Sequence, residues 1–135
     1  SGGVNSQRGV ETTGTYFPTV RVRDTGVYML GWTSSTVDAP NVLYSIMSSP
    51  GEGGRGQFNL GAYSNAKVDE LTDKIASETD DKKRTEMIHE AIKLHQDDIG
   101  HIPLHQQSLN WGAKKNIELV QLPGNEMVWK YITVK

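Results

Sequence analysis

Four histidines, His89, His95, His101 and His105, fall within 17 positions and are the residues best suited to hold a metal or move a proton. Their spacing argues against a shared ion. His89-Glu90 resembles the opening of a zinc-protease helix, but that helix needs a second histidine four residues on, and position 93 is Lys93. His95 comes six residues after His89, about 240° further round a helix, so the two rings point apart. His101 and His105 on one strand face would stand about 13 Å apart, whereas each ligand to a zinc ion lies about 2 Å from it. No metal is expected, and His95 reads instead as part of an apolar helical stripe with its polar edge satisfied. Asp69, Glu70 and Asp73 lie on or near the outer face of a helix and Asp97-Asp98 close another, which is the pattern of solvated charge. The sequence has no Gly-x-Ser-x-Gly elbow for a hydrolase nucleophile. Neither an enzyme nor a cofactor is expected.

The chemistry that remains is recognition. Val27-Tyr28-Met29-Leu30-Gly31-Trp32 is a compact apolar run with a glycine flank, and its length predicts a buried strand. It leads into Thr33-Ser34-Ser35-Thr36, which places an aromatic face beside several hydroxyl groups. Ligand clefts in α/β proteins lie outside the C-terminal ends of strands. The opposing reading makes Trp32 a core residue and Ser34-Ser35 a solvated loop. The tract Ser48-Ser49-Pro50-Gly51-Glu52-Gly53-Gly54-Arg55-Gly56 suggests a phosphate-binding loop, but it lacks the Gly-Lys-Ser/Thr ending and no strand precedes it. A mobile surface loop is expected there.

The elements that must position these residues alternate in type. Residues 1–15 are rich in Gly, Ser and Thr and read as a flexible lead-in or an edge strand. Tyr16 to Asp24 is compatible with a short helix holding Pro18 in its first turn. Asp38-Ala39-Pro40-Asn41 opens a second short helix carrying Val42, Leu43, Ile46 and Met47. Asn65 is the expected N-cap of a helix with the stripe Val68, Leu71, Thr72, Ile75. Asp80 caps another, with the stripe Ile88, Ala91, Ile92, His95, Ile99, and Gly100 is expected to end it. The Thr79-Asp80-Asp81 break between the two suits a helical hairpin. Short strands are predicted over Ile102 to Gln106, Leu109 to Trp111 and Val128 to Val134. The fold class expected is α/β, with a mixed sheet and a helical hairpin.

Composition fits that class. The chain has 135 residues, 36% hydrophobic and 22% charged, with 14 basic against 16 acidic residues and a net charge of −2. No basic patch indicates nucleic acid, because Lys82-Lys83-Arg84 follows Asp80-Asp81. There are no cysteines, which excludes disulfides and thiolate metal sites. No apolar run approaches the roughly 18 residues that span a bilayer.

A set of landmarks then appears in order: Tyr28-Met29-Leu30-Gly31-Trp32-Thr33, Asp38 to Asn41, Gln57-Phe58-Asn59, and Tyr63-Ser64-Asn65-Ala66-Lys67-Val68-Asp69-Glu70-Leu71. Glu78-Thr79-Asp80 with Lys83-Arg84, and then Ile102-Pro103-Leu104-His105, complete it. Over residues 16–135 the chain resembles the bacterial extracellular solute-binding proteins of the dipeptide, oligopeptide and nickel type (family 5). The resemblance implies the C-terminal part of a periplasmic or lipid-anchored two-lobed receptor that delivers a small solute to an ABC permease. The fold it implies is part of a type II periplasmic-binding-protein lobe, the end of the second lobe with the segment returning to the first. Residues 1–15 match poorly and stay outside it.

In peptide receptors of this family an acidic residue three positions after the tryptophan pairs with the peptide's amino terminus. Here that position is Ser35, whose hydroxyl supplies no opposite charge and forfeits a charge-assisted bond. Asp38 takes that role if the loop folds back. The implied ligand site is Trp32, Thr33, Ser34, Ser35 and Asp38, with Trp32 stacking on the solute while Thr33, Ser35 and Asp38 hydrogen-bond it during lobe closure. A chain without its first lobe is also expected to self-associate through uncovered surface. The competing reading is a stand-alone interaction module built on the helical hairpin, presenting an exposed apolar face to a protein partner.

Overall fold

Thr12 lies in extended backbone, and its carbonyl accepts the amides of Thr15 and Tyr16, which starts helix α1, Thr13–Arg21. The computed structural model describes residues 3, 5, 7, 9–36, 38–122 and 124–135, in two units that meet between Leu30 and Gly31. In the first unit, α1 begins three residues before the predicted helix and takes in the last residues of the expected lead-in; the rest of that stretch lies partly outside the described residues. Pro18 therefore stands at the sixth helical position, past the first turn, and the helix ends soon after it at Arg21. Val20 is the buried residue of α1.

The strand predicted over Val27–Trp32 does not form. The Tyr16 phenol donates to the Met29 carbonyl (2.5 Å) and accepts from the Met29 amide (3.0 Å), so one side chain occupies both backbone groups that a ladder would use. Val27 is 86% and Met29 68% exposed. An apolar run becomes a buried strand only where a sheet receives it, and among the described residues this one is paired into no sheet.

The second unit is organised by the helical hairpin. Asn65 Oδ1 accepts the amides of Lys67 (2.9 Å) and Val68 (3.3 Å), capping α3, Ala66–Ser77, as the spacing predicts. Asp80 Oδ1 accepts the Lys83 amide (2.9 Å) and caps α4, Asp81–Asp97. The stripe Val68, Leu71, Thr72, Ile75 is buried. Leu71, Ile75 and Ala91 join Leu43 in the core, with Met47, Met87, Ile88, Ile92 and Leu94 packed around them. Each large apolar side chain so buried contributes about 1.5–3 kcal/mol. Leu43 comes from the short helix α2, Ala39–Val42, and the π-helical turn Leu43–Met47 that continues it.

The tract from Ser48 to Gly56 runs along the surface over Pro50–Gly53, as expected, while Ser48 and Gly56 at its ends are buried and bonded. Ser48 is buried, and its hydroxyl bonds the Leu43 carbonyl (2.9 Å) and Thr72 Oγ1 (3.4 Å). The Gly56 amide donates to the Tyr44 carbonyl (2.8 Å), and a Cβ on Gly56 would meet the Ser48 carbonyl oxygen at 2.6 Å. Asn59 ties the tract down, donating to the carbonyls of Ser48 (2.9 Å) and Tyr63 (2.8 Å).

The sheet of the described residues is one antiparallel ribbon, β1 (Ile117–Glu118) with β2 (Thr133–Val134), in register Ile117 to Val134 and Glu118 to Thr133. The strands predicted over residues 102–106 and 109–111 are irregular chain. Ile102 and Leu104 stand 69% and 67% exposed, without the neighbouring surface that would make their alternation a strand. No helix among the described residues is long and apolar enough to cross a membrane.

Candidate functional site

An open depression of about 400 Å³ lies between α2, its π-helical continuation and α3. Thr72 and Ala76 of α3 line it together with Pro40, Asn41 and Tyr44, and Thr36 and Asp38 complete the lining. Pro40 opens α2 with its fixed φ, which suits the first helical turn. This sets Asn41 and Tyr44, three residues apart, toward the same side. Tyr44 is held by its hydroxyl on the Gly53 carbonyl (3.2 Å), with the Arg55 guanidinium 6.0 Å from its ring centroid. Arg55 is itself ion-paired with Asp73 of α3, and that bond raises its pKa.

Of the five residues expected at a ligand site, Asp38 lines the depression. Its carboxylate also accepts from Arg84 Nη2 (2.6 Å), so its charge is already compensated from α4. Trp32 stands one residue back: its indole N–H donates to Asn41 Oδ1 (3.0 Å), and its ring lies 4.9 Å from that of Phe58, tilted by 58°. It is neither sealed in the core nor free in solvent. Thr33 and Ser35 are exposed, Ser34 is half-buried with its hydroxyl 3.4 Å from that of Thr36, and none of the three lines the depression. The arrangement joins Trp32 to Asp38 through Asn41 and leaves the hydroxyl run outside.

Asn41, Tyr44 and Arg84 are the additions that sequence reading missed. Arg84 stands 46 positions from Asp38, so no local pattern could pair them. Asn41 and Tyr44 share a helix face, a signal obscured by the switch from α-helix to π-helix at Leu43.

A second polar cluster lies at the end of the hairpin away from its connection. The Tyr63 phenol (2.7 Å) and the Asn65 amide (2.6 Å) both donate to Asp98 Oδ2, linking the cap of α3 to the end of α4. These two donors hold the Asp98 carboxyl below its usual range, the Asn65 bond most, while burial and then the Asp98 bond push the Tyr63 phenol up to about 12. His95 is buried at 1% exposure, its ring edge-on to Tyr63 (4.4 Å between centroids) and stacked on His101 (5.0 Å, 18°). His95 Nε2 and His101 Nδ1 are 2.8 Å apart and share one hydrogen bond. His95 is thus the stripe residue expected, but only half its polar edge is satisfied: Nδ1 is buried without a partner. Burial, with His101 adding, depresses the pKa of His95 to about 4, and burial lowers that of His101.

The turn after α4 creates this contact, and Gly100 acts differently from the helix-ending role expected of it. Ile99 takes the left-handed conformation (φ 54°), with its amide on the Gln96 carbonyl (2.9 Å) and the Gly100 amide on the His95 carbonyl (3.0 Å). That is a Schellman cap in which a β-branched residue fills the position glycine usually takes. Gly100 is needed for space, because a Cβ there would meet His95 Cε1 at 2.5 Å. Among the described residues no three His, Asp or Glu side chains converge as a metal would require.

No family model, curated protein or solved structure matches the chain.

Proposed function

We propose that this chain is the ligand-capturing C-terminal part of an extracytoplasmic solute-binding protein of the dipeptide, oligopeptide and nickel type. It holds a small solute between two lobes for delivery to an ABC permease, in the periplasm or anchored outside the membrane, and performs no catalysis. The reading rests on the ordered landmarks from Tyr28 to His105. The depression supports it, because Asp38 and Asn41 of one landmark line it and Asn41 accepts the indole N–H of Trp32 from another. In this reading the α/β lobe is completed by chain that pairs with the exposed segments after α4. Trp32 stacks on the solute, Asp38 and Asn41 orient it, and Thr33 and Ser35 reach it on closure.

Exposed apolar side chains of the second unit support a partner-covered face. Among the exposed apolar residues are Ile102, Leu104, Trp129 and Val134. A first lobe would cover such surface; a second copy, or the target of a stand-alone interaction module, would do so in the competing reading. Native mass spectrometry of the full-length protein from its host identifies any retained solute, and calorimetry then compares wild type with Trp32→Ala. Binding weakened more than about tenfold is expected, since stacking of about 0.5–1.5 kcal/mol together with about 1.5–3 kcal/mol for the buried apolar ring exceeds the roughly 1.4 kcal/mol of one decade. A full-length protein that retains no solute, or a variant of unchanged affinity, defeats the assignment.

A further inference from the structure

We propose that His95 and His101 form a proton-operated latch, which holds the chain after α4 against the hairpin end at neutral pH and releases it on acidification.

The geometry of the shared bond leads to this. Two neutral imidazoles 2.8 Å apart need one nitrogen to donate and the other to accept. His95 Nδ1 is buried without a partner, and an orphaned N–H donor there is worse placed than an orphaned lone pair, since carbonyl and ring acceptors tolerate under-satisfaction better. The arrangement this favours has His95 Nε2–H donating to His101 Nδ1, with His95 Nδ1 left unprotonated. An added proton then has two destinations. On His101 Nδ1 it sets donor against donor and breaks the bond. On His95 Nδ1 it buries a charged N–H that nothing accepts. A rearranged pair, with His101 donating to His95, still strands a proton on His95 Nδ1. Each protonated form therefore weakens the contact.

The surroundings give little relief. Tyr63 presents its ring edge-on to His95 and stays protonated at physiological pH. Among the described residues Asp98 is the carboxylate acting on His95, and Tyr63 and Asn65 both donate to the same oxygen of it. Asp69 acts on Tyr63 alone in this cluster. His101 is the remaining titratable neighbour and opposes a charge on His95. The turn is also poised to open, because Ile99 holds a left-handed conformation that β-branched residues disfavour. With the latch undone, the chain carrying the exposed Ile102 and Leu104 is freed from the hairpin.

The test is a pH titration by NMR of the whole chain, following the Cε1–H signals of His95 and His101 and hydrogen exchange at the Gly100 amide, corrected for intrinsic rate. Both histidines should titrate below the ordinary histidine range. Over the same interval the Gly100 amide should lose protection by on the order of tenfold at about pH 5. His101→Phe keeps a stacked ring without a titrating nitrogen, and its Gly100 protection should respond to pH less than that of wild type. Ordinary titration of both rings, or protection that does not change with pH in the wild-type chain, overturns the proposal without recourse to the variant. So does a His101→Phe protein whose Gly100 response equals that of wild type.

Discussion

The cap after α4 makes a prediction that runs against the usual placement of glycine. Ile99 has φ 54° and Gly100 has no room for a Cβ. In most such caps the left-handed residue is the glycine. Ile99→Gly removes a strain of roughly 1–2 kcal/mol per left-handed non-glycine residue, against roughly 0.5–1 kcal/mol of added freedom in the unfolded chain. Ile99 is 70% exposed, so little burial is lost. The net expectation is a gain of about 0.5–1 kcal/mol. Gly100→Ala acts in the opposite direction. Its Cβ would lie 2.5 Å from His95 Cε1, 2.8 Å from Nε2 and 2.9 Å from Nδ1, all well inside normal contact. The ring cannot retreat easily, because it is buried between Tyr63 and His101. Overpacking of this kind costs about 1–3 kcal/mol. Urea unfolding of the two variants beside wild type reads both effects, and about 1 kcal/mol corresponds to about 4 °C in Tm for a domain of this size. If Gly100→Ala is neutral and Ile99→Gly destabilises, neither room beside the His95 ring nor left-handed strain at Ile99 governs this cap.

Asn65→Ala should cost about 1 kcal/mol or more, because the side chain caps α3 and its amide also supports Asp98; Asp80→Ala, which removes only a cap, should cost less in the same denaturant series. Stability should fall on acidification: His95 has an ordinary pKa of 6.5 and a folded value of about 4, so the unfolded chain binds the proton more readily. The contribution is complete above the ordinary value and is lost as pH falls through the folded one. Between about pH 7 and about pH 5 this amounts to roughly 2 kcal/mol, read as a drop in urea midpoint, and a flat pH profile would contradict it. Light scattering at high concentration should reveal self-association of the 135-residue chain; a monodisperse monomer would mean that its exposed apolar residues form no adhesive face.

Sequence alone determined the helical hairpin. Asn65 and Asp80 are short polar residues ahead of apolar stripes of period 3.6, and capping depends on neighbours within one turn. The stripe that begins at Val68 is buried as read because one face of a helix meets the core whichever partner supplies it. Tertiary structure decided what needed distant partners. Val27–Trp32 has the composition of a strand, but a strand exists only through another strand, and here the Tyr16 phenol took Met29's backbone groups. His95 and His101 are six residues apart, a spacing that keeps rings separate on a continuous helix; the left-handed turn at Ile99 reverses the chain and stacks them. Asp38 meets Arg84 and Trp32 meets Asn41 through packing of α2 and α4 around Leu43 and Ala91. Periodicity carries information only as far as a continuous element runs. Beyond it, the geometry of a site depends on how separate elements share a core.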